Sequence, residues 1–190
     1  MGKQSELKYQ RLLQKAEELF IKRGYKNVSI DEIAAYAGIS KVTIYKHFDS
    51  KEALFIHIVT DITDKHYNLL ESNLNSIPSA VDKLHYLFSF SIESHRKYSQ
   101  AFYQDMMEIP FIWEQIYAYR KNRAIAICEQ ILEAGILTKE LRSLNVKYTI
   151  SLLLQLGEAL PKMYPFDNQA EAELFLESYY DFIKHALMKH

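Results

Sequence analysis

Leu7, Leu12, Leu13, Ala16, Leu19 and Phe20 recur at the spacing of one helix face, and Gly24 follows Lys22-Arg23 as at a helix C-terminus. Ser29-Ile30-Asp31-Glu32 then reads as a capping box. The Ser29 hydroxyl accepts from the Glu32 amide while the Glu32 carboxylate reaches back. The helix it opens runs through Ile33 and Ala34 to Ala37 and stops at Gly38. A short third helix follows Ser40, itself an N-cap residue type. Asp49-Ser50-Lys51-Glu52 caps a longer fourth helix through Leu54, Phe55, Ile58 and Ile62 to about Asn73. After Asn75-Ser76-Ile77-Pro78-Ser79 the pattern predicts helices near 80–98, 100–107, 111–134, 146–160 and 169–188. Their breaks are Ser99, Glu108-Ile109-Pro110, the stretch from Gly135 to Asn145, and Pro161 to Asn168. Asn168 with Glu171 supplies a variant capping box to the last of them. No strand alternation persists and no repeat appears. The expected fold is all-α, with about nine helices.

Composition changes little in that picture. The 190 residues are 48% hydrophobic and 25% charged, with only 5 Gly and 4 Pro, as a folded helical chain requires. No apolar run reaches the roughly 18 residues of a membrane span; Ile150 to Leu156 comes nearest. Met1-Gly2-Lys3-Gln4-Ser5-Glu6 lacks the apolar core of a signal peptide, and Glu6 spoils a myristoylation pattern. Cys128 is the single cysteine, so no intrachain disulfide forms and a reducing compartment fits. A cytoplasmic protein is expected, with no membrane partner. Charge adds something new: residues 1–52 carry a balance of +3 and the remainder −4. A basic head on an acidic body suggests one end made for nucleic acid and another made for something else.

The basic head also carries a geometric motif. Gly38-Ile39-Ser40 joins two short helices as in a helix-turn-helix, and Gly38 supplies the left-handed residue that a tight turn needs. Ala34 is small enough for a close crossing, and Ile33, Ile39 and Ile44 can plug it. The opposite face of the second helix shows Lys41, Thr43, Lys46 and His47, the arrangement of a helix laid in a major groove.

The stretch TIYKHFDSKEALF, Thr43 to Phe55, behind SIDEIAAYAGIS, strongly resembles the TetR family of bacterial transcriptional regulators. The resemblance is specific over residues 8–55, including Ala16, Phe20 and Gly24. It implies an N-terminal three-helix DNA-binding domain at 5–50, with the helix-turn-helix at about 29–48. It further implies a C-terminal helical domain at 51–190 that binds a small molecule and dimerises through its last two helices. Carried over onto this chain, phosphate contacts fall on Ser29, Thr43, Tyr45, His47 and Lys51. Ser40, Lys41, Val42 and Lys46 are then the expected base readers, since lysine donates to guanine O6 and N7 and valine meets a thymine methyl. Phe48 is assigned to the core.

Residues 84–117 are dense in large apolar groups: Leu84, Phe88, Phe90, Phe102, Tyr103, Met106, Met107, Phe111, Trp113 and Tyr117. Core packing accounts for any one of them. As a set they suit the wall of a pocket for an apolar ligand. Phe88, Phe102, Met106, Trp113, Tyr117 and Leu152 are the candidate lining, with Arg120, Gln155 and Glu158 as polar anchors. Leu153, Gly157 and Leu160, and Leu176, Tyr180, Ile183 and Leu187, are the candidate dimer interface. Two recognition helices about 34 Å apart read a palindrome, which one helix alone cannot.

Among the seven histidines, His57 and His66, and His85 and His95, miss the one-turn spacing of a helical metal site. No P-loop, GxGxxG or GxSxG occurs. Neither a metal, a cofactor nor an enzyme is expected. The reading is a homodimeric repressor on double-stranded DNA, released from a palindromic operator by a small hydrophobic effector. Its rival is an effector-free, chromosome-associated DNA-binding protein whose C-terminal domain holds a protein partner. A third and weaker reading, a carrier or enzyme with a vestigial DNA head, is opposed by the intact Tyr45, Lys46 and Lys51.

Overall fold

The structure, a computed structural model, describes residues 3–95, 97–163 and 169–189, and their side chains apart from those of 3, 91–92, 94–95, 103, 107, 157–163, 169–173 and 175–176. The described residues form nine α-helices: α1 (Lys3–Arg23), α2 (Ile30–Ala37), α3 (Lys41–Tyr45), α4 (Lys51–Asn75), α5 (Ala80–His95), α6 (Gln100–Glu108), α7 (Pro110–Leu137), α8 (Val146–Met163) and α9 (Gln169–Leu187). Outside the helices, an isolated antiparallel bridge joins Leu141 to Met188.

Local signals set most ends. Ser29, Ser40 and Ser99 each accept a hydrogen bond from the amide three residues on, and the Ser50 hydroxyl does the same for Ala53 at the start of α4. Several expected ends move. α7 starts at Pro110, where a missing N–H costs nothing, and continues through Gly135 to Leu137. Gly135 does not stop the helix. A Cβ there would come within 2.6 Å of the Leu141 side chain and 2.7 Å of the Ala80 side chain, so its small size admits close packing. The left-handed residue after α7 is Lys139, at φ 64°. α8 runs on to Met163 rather than ending at 160. The capping box expected at Asn168 and Glu171 lies outside the described residues.

The chain divides into two compact units, Met1–His66 with Ser94–Arg120, and Tyr67–Glu93 with Lys121–His190. This differs from the expected boundary at residue 50. The first unit's core unites Leu12, Ala16 and Phe20 of α1, Ile33 of α2, Ile44, Phe48, and Leu54, Phe55, Ile58 and Val59 of α4 with Phe102 and Met106 of α6 and Ile112 and Ile116 of α7. Phe55 sits edge-on to Phe20 at 5.0 Å and meets Phe102 at 5.7 Å. These contacts join residues 35 and 47 positions apart, which is why helical periodicity gave no hint of the boundary. In the second unit, Leu70, Leu74, Leu84, Ile127, Ile131, Leu132, Ile150, Leu153, Tyr179, Ile183 and Leu187 form a separate core. Glu140 ties that unit's α7–α8 connection to the start of α5, accepting from the Ser79 hydroxyl at 2.6 Å and the Ala80 amide at 2.9 Å.

Gly24 is where α6 meets the end of α1. It has φ 77°, and a Cβ would lie 2.5 Å from the Asp105 carboxylate and 2.9 Å from the Ala101 carbonyl. Both backbone and space demand glycine. Gly24→Ala is expected to destabilise the protein by about 2 kcal/mol or more, read as a shifted urea midpoint with unchanged m. A midpoint within error of wild type would show that α6 is not held at this distance.

Candidate nucleic-acid interface

The helix-turn-helix is assembled from backbone upward. Gly38 takes φ 63°, ψ 42°, and its amide and that of Ile39 return to Ala35 and Ala34, closing α2. Ala34, Ile33 and Ala37 are buried at the crossing, Ile39 is half-buried, and Ile44 and Phe48 fix α3 from below. The outward face follows: Val42 is 65% exposed and Tyr45 51%, and Lys41, Lys46 and His47 are exposed. The expected division of this helix into a buried and an open face is what the structure contains.

Individual donors are less free than the sequence suggests. Ser29 gives its amide (2.9 Å) and its hydroxyl (3.0 Å) to Glu32, while its oxygen accepts from the Glu32 amide at 3.2 Å. Both Ser29 donors are thus committed to the cap, and the expected phosphate contact there requires Glu32 to let go. The Ser40 oxygen accepts from the Thr43 amide, and the two hydroxyls share a hydrogen bond of 2.9 Å. The Lys51 ammonium lies over the Tyr25 ring, 4.1 Å from its centroid, and burial pushes its pKa down. Tyr25 is in turn pushed up by burial and by its hydrogen bond to Glu52. His47 packs against Tyr9 with ring centroids 4.8 Å apart.

Three residues on or facing this surface were passed over in the sequence. Lys8 lines an open depression with Ala34, Ala35, Gly38, Ile39, Ser40 and Thr43. Arg11 donates to the Gly38 carbonyl at 3.3 Å. Asp31 pairs with Lys41. Lys8 and Arg11 are three apart on α1, a same-face spacing that offered a signal; the Asp31 pairing has none that is local.

The other candidates fall in both units. Phe102 and Met106 are buried in the first core, with half-buried Trp113, Tyr117 and Arg120 in the same unit. Trp113 and Tyr117 stack at 4.8 Å. In the second unit Phe88 is half-buried, edge-on to Tyr179 at 5.1 Å, while Leu152 and Gln155 are exposed. Of the dimer candidates, Leu153, Ile183 and Leu187 are buried inside their own unit. Tyr180 is half-buried against His85. The exposed apolar residues of these helices are instead Tyr148, Leu152 and Leu156 on α8 and Leu174 and Phe182 on α9. The side chains of Tyr103, Met107, Gly157, Glu158, Leu160 and Leu176 lie outside the described residues. No helix among the described residues is long and apolar enough to cross a membrane.

Residues 12–58 match the model of the family described as bacterial regulatory proteins, tetR family. The biofilm operon icaADBC negative transcriptional regulator IcaR of Staphylococcus aureus is 30% identical over 95 residues, which is 50% of this chain and 51% of that protein. The transcriptional repressor KstR2 of Mycolicibacterium smegmatis is 35% identical over 96 residues, 50% of this chain and 47% of that protein. The chain thus spans about half the length of the curated relatives it matches. The solved structure of the transcriptional regulator FadR of Bacillus subtilis, in complex with stearoyl-CoA, shares the fold with a TM-score of 0.72 at 19% identity, over 89% of this chain and 96% of that one.

The capping box gives a pH signature. The Ser29 amide, then Arg23 at 2.8 Å and the Ser29 hydroxyl, hold the Glu32 carboxyl at about 2, below its ordinary 4.5. A depressed carboxyl stabilises the fold above the unfolded value and loses that contribution as pH falls through the folded one. Glu32→Gln keeps a capping side chain but not the charge. Its melting temperature is expected to lie below wild type at pH 7, with the gap closing between about 4.5 and 2. A gap independent of pH would remove the charge from the account.

Proposed function

From residues 12–58, which belong to the tetR family of bacterial regulatory proteins, we propose a DNA-binding transcriptional regulator that acts as a homodimer in the cytoplasm. In this reading it represses from a palindromic operator and is released by a small, largely apolar ligand. The observation that carries the reading is the two-faced α3, with Ile44 and Phe48 buried below and Val42, Tyr45, Lys46 and His47 open above. Tyr45, Thr43, His47 and Lys51 are the proposed backbone contacts, and Ser40, Lys41, Val42 and Lys46 the proposed readers of base edges.

The homodimer rests on the exposed stripe of α8 and α9. Tyr148, Leu152 and Leu156 repeat every four residues as one exposed apolar row on α8, and α9 exposes Leu174 and Phe182, eight residues apart. A second copy is the proposed cover, through a two-fold contact of this face with itself. The ligand reading is supported by the half-buried, stacked aromatics Trp113 and Tyr117 of the first unit. The stearoyl-CoA held by the Bacillus subtilis regulator supports an acyl chain as its chemistry. A hundredfold loss of operator affinity needs about 2.7 kcal/mol of differential ligand binding between the two states.

Gel shift of the full chain on duplexes selected from a random library tests DNA recognition directly. Lys51→Ala is expected to weaken binding to all sequences alike and flatten the salt slope by about 0.9 per head, about 1.8 for the dimer, while Tyr45→Ala weakens binding without changing the slope. Lys46→Ala is expected to alter base preference. Absence of any duplex preferred over random DNA at physiological salt ends the reading. Oligomeric state offers a separate check. Leu152→Glu with Phe182→Glu is expected to give a monomer by light scattering and at least a tenfold weaker complex with a two-half-site duplex. An unchanged dimer would move the interface elsewhere.

A further inference from the structure

The cations of the helix-turn-helix are not equally available. Lys51 lies over Tyr25. Lys46 makes no ion pair among the described residues, whereas the Lys41 ammonium is 2.5 Å from a carboxylate oxygen of Asp31. Both partners of that pair are exposed, so nothing in the packing forces them together. Asp31 stands in the first turn of α2 between Ser29 and Glu32, yet those two cap the helix through each other. The fold therefore does not use Asp31 as a cap. Its effect is to place a negative charge beside a surface that meets a polyanion, and to occupy the first lysine of α3.

We propose that Asp31 is a specificity-determining residue of the DNA interface: it holds Lys41 in an ion pair on random duplex and yields it only where a base edge accepts it better. The proposal rests on the reading of this surface as a DNA interface. Non-specific affinity comes almost wholly from counterions released as cations meet phosphates. A lysine already neutralised by a carboxylate releases less, so it gives little to random sequence. At a site that presents guanine O6 and N7 to Lys41, two acceptors replace one carboxylate oxygen and the ammonium is exchanged rather than added. Discrimination is a difference of affinities, and withholding a contact from the wrong partner widens it as surely as adding one to the right partner.

The full chain, D31N, D31E, K41Q and D31N with K41Q are titrated by fluorescence anisotropy from about 50 to 200 mM salt, the range over which such contacts are read. One duplex is random and the other is the sequence that wild type selects from a random library. D31N is expected to bind random duplex about five- to tenfold tighter per head near 0.1 M salt, with a slope steeper by about 0.9 per head and about 1.8 for the dimer. Its gain on the selected duplex is smaller, so the ratio of the two affinities narrows. D31E retains the pair and follows wild type. In the K41Q background D31N changes neither affinity nor slope. The proposal is overturned when D31N leaves slope and ratio at wild-type values. It is also overturned when D31N gains as much with K41Q as without it, which makes Asp31 a plain repulsive charge. Failure of the DNA-binding reading is separately visible, because wild type itself then shows no preferred duplex.

Discussion

A helix of five residues closes too few hydrogen bonds to stand alone in water. α3 exists because Ile44 and Phe48 are held beneath it, in a core shared with Leu12, Ile33, Leu54 and Phe55. That constraint decides everything on its outer surface. Once these two positions face inward, three- and four-residue spacing leaves Val42, Tyr45, Lys46 and His47 facing out. The interface chemistry is thus a by-product of two apolar anchors and one turn. Arg11 reaches from α1 to the Gly38 carbonyl and holds that turn at the same time. A rigid anchor beneath a short reader keeps side chains within reach of base edges without the helix having to order on binding.

The same core explains why α6 belongs to the head. Asp105 is buried, and a buried carboxylate is costly unless its oxygens are satisfied. It accepts the Lys26 amide at 2.8 Å and lies 3.4 Å from the Lys26 ammonium, which also pairs with Glu108 at 2.8 Å. The Ser99 amide donates to the Ile21 carbonyl at 3.2 Å, and Phe102 adds an aromatic contact to Phe55. Polar and apolar contacts therefore act on one short helix together. Any displacement of α6 must expose Asp105, Phe102 and Met106 at once, so α6 and the α1–α2 junction move as a body. For a regulator of the proposed kind, that body is what an effector has to move.

Short-range features were legible in the sequence because short-range chemistry makes them. The capping box at Ser29 and Glu32, the Gly38 turn and the Ser40 cap depend on residues within a few positions of each other. Each was read, and each holds. What escaped depends on pairs far apart in the chain. The Asp105–Lys26 contact spans 79 positions and the Glu140–Ser79 contact 61, and no periodicity announces either. Gly135 shows the ambiguity at a single residue: a glycine near a helix end suggests a stop, whereas here its missing side chain makes room for Leu141 and Ala80. Lys41 and Lys51 belong to the proposed duplex face on sequence alone. Their partners, Asp31 and Tyr25, were invisible because both pairings cross between elements.

The last two helices show why a pattern of apolar residues does not by itself identify an interface. α8 carries Ile150 and Leu153 on one side and Tyr148, Leu152 and Leu156 on another. A helix with two apolar sides has more such surface than one chain covers, and the spacing cannot say which side its own core takes. The fold takes the first, leaving Leu152 at 63% exposure, while Leu174 and Phe182 on α9 are each at 64%. A monomer could carry any one of these singly, whereas exposed apolar residues recurring on both helices are what the proposed association would cover. Leu153, Ile183 and Leu187, which read as an interface from periodicity, are therefore among the residues that hold the unit together. Those left over after the core has formed carry the case for a partner, and only packing separates the two sets.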